Sequence, residues 1–111
     1  MYTIHKRIEI SAAHYLTLDY ESKCCNLHGH NWIVDIYLRS QTLNDNGMIM
    51  DFSEIKHSIS DRLDHKVLNE VLPFNPTAEN LAFFICKELA PYCYRVDVEE
   101  SANNSASYYV D

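Results

Sequence analysis

The stretch His28-Gly-His-Asn-Trp-Ile-Val-Asp-Ile-Tyr-Leu-Arg39 decides the fold of this chain. Trp32, Val34, Ile36 and Leu38 occupy every second position, opposed by Asp35, Tyr37 and Arg39, with Ile33 the one blur. Period two is the mark of a strand with one buried face, which predicts a strand over Asn31–Arg39. Working outward, Tyr2–Ala13 repeats the pattern. Ile4, Ile8, Ile10 and Ala12 lie on one face and Thr3, His5, Arg7, Glu9 and Ser11 on the other, with Lys6 the exception.

Two helices are predicted next. Asn44-Asp-Asn-Gly47 reads as a turn, and Asp51 with Glu54 has capping-box spacing ahead of Phe52, Ile55, Ile59 and Leu63 at helical intervals. After Pro73 and Pro76, Thr77 can cap a helix with the stripe Leu81, Phe84, Ile85 and Leu89, ending before Pro91. Val96 and Val98 against Arg95, Asp97 and Glu99 return to period two, followed by a turn at Asn103-Asn104 and a strand near Ser107–Val110. The order ββααββ implies an α+β fold, with two helices on one face of an antiparallel four-stranded sheet. The other face is wet and the edges are unpaired, a liability commonly relieved by joining other copies, so an oligomer is expected.

Length and composition bound the function. The 111 residues fit one domain spanning 1–111, and 47 % hydrophobic with 23 % charged residues is ordinary globular usage. A net charge of −7 argues against nucleic acid as a partner, since that binding rests on many cations at phosphate. No apolar run approaches the roughly 20 residues that cross a bilayer, so no membrane partner is expected. The N-terminus enters a strand pattern without the apolar segment of a secretion signal, which makes cytoplasmic the expected location. Cys24, Cys25, Cys86 and Cys93 are then expected as free thiols or metal ligands.

The chemistry concentrates on three histidines. His28 and His30 share the parity of Trp32, and His14 that of Ile10 and Ala12, so all three face the apolar side. Antiparallel pairing brings the end of the first strand beside the start of the second, converging the three rings. Three neutral imidazoles with a fourth position open is the usual arrangement of catalytic zinc, so Zn2+ is the expected cofactor. The plainer alternative is three core histidines satisfied by backbone. Cys24, beside Lys23 and close before His28, is a candidate general base, with Cys25 ambiguous. Cys86 and Cys93 read as small buried thiols. Asp64-His65 can act as a proton-transferring pair, or simply answer the helix dipole. Glu100 has the parity of Val96 and Val98, and a carboxylate turned to that face needs a partner such as a ring presenting an amidine-like N–H pair.

Ser11-Ala-Ala-His14, Cys24-Cys-Asn-Leu-His28-Gly-His30-Asn31, Leu63-Asp-His-Lys-Val-Leu-Asn69, Asn75-Pro-Thr-Ala-Glu-Asn80 and Val98-Glu-Glu-Ser101 together resemble the 6-pyruvoyl-tetrahydropterin synthase family over nearly the whole chain. Three residues between Cys24 and His28 resemble its 6-carboxy-tetrahydropterin synthase branch, where the pyruvoyl-forming branch usually has five. The resemblance implies a tunnelling fold in which trimers close a barrel, two trimers stack as a homohexamer, and sites lie between subunits. It implies zinc on His14, His28 and His30, Cys24 as base, Asp64 and His65 as the proton-transferring pair, and Glu100 as the pterin anchor. The implied substrate is 7,8-dihydroneopterin triphosphate, converted to 6-carboxy-5,6,7,8-tetrahydropterin with loss of acetaldehyde and triphosphate, on the route to queuosine. Ile10 replaces a phenylalanine common in the family, and Cys25 stands where a small residue is usual. Cations for the triphosphate would come from Lys6, Arg7, Lys23 or a neighbouring subunit.

Overall fold

The computed structural model describes residues 1–111, in the order β1 (Tyr2–His14), β2 (His28–Ser40), α1 (Phe52–Leu63), β3 (Lys66–Val67), α2 (Leu68–Val71), α3 (Ala78–Glu88), β4 (Cys93–Ser101) and β5 (Asn104–Tyr109). β1 and β2 form an unbroken antiparallel ladder from Tyr2 opposite Ser40 to His14 opposite His28. β4 and β5 continue the sheet antiparallel, while β3 adds to the outer side of β1 in parallel, giving the order β3-β1-β2-β4-β5.

The expected α+β architecture is present, with one more strand and one more helix than the sequence pattern implies. β3 has two residues and α2 four, too short for any period to appear. The β4–β5 turn falls at Ala102-Asn103, one residue earlier than expected, and Asn104 Nδ2 donates to Ser101 Oγ at 3.0 Å across the hairpin ends. β2 also begins at His28 rather than Asn31, so the histidines lie within the ladder.

Local chemistry explains the helices. Asp51 Oδ1 accepts the Ser53 N–H at 2.8 Å and Thr77 Oγ1 accepts the Asn80 N–H at 3.1 Å, each satisfying a donor that the first helical turn leaves unpaired. Gly47, at φ 80°, closes the turn before α1 in the left-handed region that side chains disfavour. Ile55, Ile59 and Leu63 of α1 and Leu81, Ala82, Ile85 and Cys86 of α3 pack on the even-numbered face of the sheet, in one cluster of 22 buried residues. Full burial of Ile36, Ile55 and Ile59 stabilises by ~2 kcal/mol each. The odd-numbered face carries ion pairs instead, Arg7 with Asp35 and Arg95 with Asp97.

Candidate metal centre

The ladder that ends β1 against the start of β2 builds the site. His14 lies opposite His28, and His30 follows two residues later on the same face of β2. One ligating nitrogen from each ring lies within 4.8 Å of the others. Ring centroids stand 4.6 Å (His14–His28), 5.1 Å (His14–His30) and 4.8 Å (His28–His30) apart. Trp32 walls the inner side, edge-on to His14 and His30 at 4.9 and 5.2 Å, with its indole N–H donated to the Ala12 carbonyl at 3.2 Å.

Backbone carbonyls orient two of the rings. His14 Nδ1 lies 2.8 Å from the Pro76 oxygen and His28 Nδ1 2.6 Å from the Asn26 oxygen; a carbonyl only accepts, so each Nδ1 donates and Nε2 is the ring nitrogen left to face a metal. Nε2 of His14 and of His30 is buried with no hydrogen-bond partner. Leaving such an atom unpaired costs about 1–3 kcal/mol, so two side by side call for a common partner. Burial lowers the pKa of His14, against the opposing pull of its Pro76 hydrogen bond, and burial likewise lowers that of His30. Both rings are held neutral, the form that binds metal. The three histidines therefore fit a divalent cation of the kind that imidazole favours.

Glu100 joins this group. A bulge in β4 between Glu99 and Ser101 sits at its position, and its carboxylate oxygens reach 3.6 Å from His30 Nε2 and 3.9 Å from His14 Nε2, beyond hydrogen-bond length. Cys24 sits half-buried in a single 3-10 turn, Lys23–Cys25, whose entry is capped by Ser22 Oγ accepting the Cys24 N–H at 3.2 Å. Cys25 is exposed, and neither thiol belongs to the ligand cluster, which leaves three protein ligands and no fourth.

Asp64 and His65 are held at Ser11. Asp64 Oδ1 accepts the Ser11 N–H at 2.8 Å, and the His65 N–H donates to the Ser11 carbonyl at 2.7 Å, so the pair is fixed to the outer edge of β1. His65 takes φ 59°, a left-handed conformation that β-carbon-bearing residues adopt at a cost, and leaves its ring 83 % exposed, 3.5 Å from Asp64 Oδ2. No hydrogen bond or ion pair links Asp64 or His65 to the three histidines, Cys24 or Glu100. His65 and His30 do line a common open cleft of about 420 Å³, together with Lys66. A larger open cleft of about 680 Å³ lies over the loop before Cys24, where Lys23 is the one cation beside Asp19 and Glu21. The Pro76 and Asn26 carbonyls also serve the site, through hydrogen bonds to ring nitrogens that leave no mark in spacing.

An α+β sheet with three imidazoles converging beside an inward carboxylate is an arrangement that could hold a metal ion. The family model described as 6-pyruvoyl tetrahydropterin synthase matches residues 3–111, and the chain belongs to that lyase-type family. It is 34 % identical to 6-carboxy-5,6,7,8-tetrahydropterin synthase of Synechocystis sp., covering 98 % of this chain and 94 % of that one. It is 35 % identical to 6-pyruvoyl tetrahydrobiopterin synthase of Dictyostelium discoideum over 78 % of this chain and 73 % of that one. The solved 6-pyruvoyl tetrahydropterin synthase of Caenorhabditis elegans superposes with a TM-score of 0.79 at 27 % identity, covering 99 % of this chain and 96 % of that one. The Plasmodium vivax enzyme, at 16 % identity and a TM-score of 0.66, shares the fold over 100 % of this chain and 99 % of its own.

Proposed function

We propose that residues 1–111 form a single zinc-dependent 6-carboxy-tetrahydropterin synthase domain, converting 7,8-dihydroneopterin triphosphate and one water to 6-carboxy-5,6,7,8-tetrahydropterin, acetaldehyde and triphosphate. The observation that carries this is the pair of buried, unpartnered Nε2 atoms on His14 and His30 beside the inward carboxylate of Glu100. His14, His28 and His30 would hold the zinc, which when bound supplies Lewis-acid charge at its open position. Cys24 removes a carbon-bound proton from the substrate side chain. Glu100 accepts the paired N–H groups of the pterin ring, the kind of two-point contact that a guanidinium makes with a carboxylate. The carbonyls of Pro76 and Asn26 keep the Nε2 atoms of His14 and His28 free for the metal.

Asp64 and His65 return protons as a pair. Their place on the outer edge of β1 and the exposure of His65 support a role at the site of a neighbouring copy in a homohexamer of two stacked trimers. The outer edge of β1 before Ser11 and that of β5 lack strand partners, which supports barrel closure between copies. Four free cysteines support action in the reducing cytoplasm, on the route to 7-deazaguanines.

The Dictyostelium relative favours one second reading, formation of 6-pyruvoyl-tetrahydropterin at the same site. A non-catalytic zinc protein closed by a cysteine is less well supported, since no thiol joins the histidines. Incubating the purified, zinc-loaded protein with dihydroneopterin triphosphate decides by mass spectrometry. The carboxy product with acetaldehyde supports the first reading, the pyruvoyl product the second, and unchanged substrate rejects both.

A further inference from the structure

β1 ends at His14, and Tyr15, Leu16 and Thr17 belong to no strand. Side chains take the place of a partner strand. Asn69 Oδ1 accepts the Tyr15 N–H at 2.9 Å while Asn69 Nδ2 donates to the Tyr15 carbonyl at 2.8 Å. Asn75 repeats the arrangement on Thr17, at 2.9 and 3.2 Å. A primary amide offers one donor and one acceptor side by side, matching the N–H and C=O that one extended residue turns to the same side. Each asparagine thus acts as one rung of a ladder, two residues apart.

These rungs complete a series along the outer edge of β1. Ser11 is held by Asp64 and His65, Ala12 and Ala13 pair with β3, and Tyr15 and Thr17 are held by the two asparagines. The intervening Leu16 donates its N–H to the Cys24 carbonyl at 2.7 Å. Asn75 is in turn tied to the start of α3, its own carbonyl accepting from the Thr77 N–H and from Asn80 Nδ2 at 2.9 Å each. Hydrogen bonds thus tie α3 to Asn75 and Asn75 to Thr17, and the adjoining Leu16 ties the segment to the turn bearing Cys24.

We infer that Asn69 and Asn75 are positioning residues for Cys24: they fix Tyr15 and Thr17 from outside, and so hold the Leu16 N–H on which the Cys24 turn hangs. The inference rests on the reading of Cys24 as the base. It assigns a task to two asparagines that touch neither the histidines nor Glu100. Losing either rung lets the Leu16 segment swing, and small displacements of a catalytic group cost up to roughly 10²-fold in rate.

The test uses the zinc-loaded full chain carrying Cys25→Ser, so that Cys24 is the one accessible thiol. Asn69→Ala, Asn75→Ala and the double variant are compared for zinc content, kcat, KM and the pH profile of Cys24 alkylation by iodoacetamide, with Asn104→Ala as a control that loses a side-chain hydrogen bond elsewhere. Expected are full zinc occupancy, KM within about threefold and kcat lower by about 10- to 100-fold, together with an altered alkylation profile. The double variant should fall well short of the product of the singles, since both break one support. An unaltered alkylation profile, or a kcat loss that only tracks loss of zinc, overturns the inference. If an alanine variant does not fold, Asn75→Asp keeps the acceptor for Thr17 and removes the donor; a parent-like alkylation profile there is equally decisive against it. Absence of turnover by the parent protein rejects the proposed reaction alone, because alkylation needs no substrate.

Discussion

Two histidines of β1, nine residues apart and on opposite faces of the sheet, meet carboxylates in opposite ways. His5, on the wet face, has its Nε2 2.6 Å from Asp35 Oδ1, and Arg7 Nε donates to the same oxygen at 2.9 Å. His14, fully buried, has its nearest carboxylate oxygen at 3.9 Å, on Glu100, and its Nε2 meets no partner. The first arrangement is complete in itself and stabilises charge. The second keeps rings neutral and lone pairs free, at a cost to the fold that only a ligand offsets. A finished ion pair marks structure, whereas buried nitrogens left unpaired mark a site.

Removing ligands should break this contrast most sharply. His14→Ala is expected to abolish turnover and to weaken zinc binding by more than the roughly 10- to 100-fold that losing an outer hydrogen-bond partner costs. His5→Ala should leave zinc content, read by atomic absorption, at the parent level. Chelation of zinc should lower the melting temperature of the parent protein, since ligand-bound native states gain stability by mass action. If His5→Ala loses zinc as His14→Ala does, the distinction between the two faces fails.

Cys24→Ala comes next, with kcat expected to fall about 10²- to 10⁴-fold while zinc stays bound, the range typical of a lost general base. Zinc lost along with activity would instead make the thiol a ligand. Glu100→Gln should raise KM for the pterin by about 10- to 100-fold, the worth of a charge-assisted hydrogen bond, with zinc occupancy unchanged. An unchanged KM would place the pterin anchor elsewhere.

The convergence of the three histidines was legible in the sequence because a ladder obeys the same period as the residues that form it. His14, His28 and His30 share parity with the core residues, and antiparallel pairing does the rest. Glu100 was legible for the same reason, and the bulge at its position did not reverse its face. The anchoring of Asp64 and His65 on the outer edge of β1 was not legible, because Asp64 meets Ser11 across 53 residues and the turn after α1 uses a left-handed histidine where a glycine would have signalled it. β3, α2 and the two asparagine rungs share that fate. Each is too short, or rests on too few long-range hydrogen bonds, to impose a period.

The smallest expected effect concerns the wet face, and its sign follows from Asp35. Burial alone would push this carboxyl up, but hydrogen bonds from Arg7 and His5 outweigh it and hold its pKa below the ordinary value. A carboxyl depressed in the folded state adds stability above its unfolded pKa and loses it as pH falls through the folded one. Asp35→Asn should therefore flatten the acid limb of the stability curve in the carboxylate range, while lowering stability only modestly near neutrality, where largely exposed ion pairs contribute little. Chemical denaturation across a pH series reads this directly, and zinc binding to the other face should not change. An acid limb as steep in Asp35→Asn as in the parent would show that the pairing around Asp35 is not what this face loses as pH falls below the ordinary carboxylate pKa, and would remove the completed ion pair from the comparison with His14.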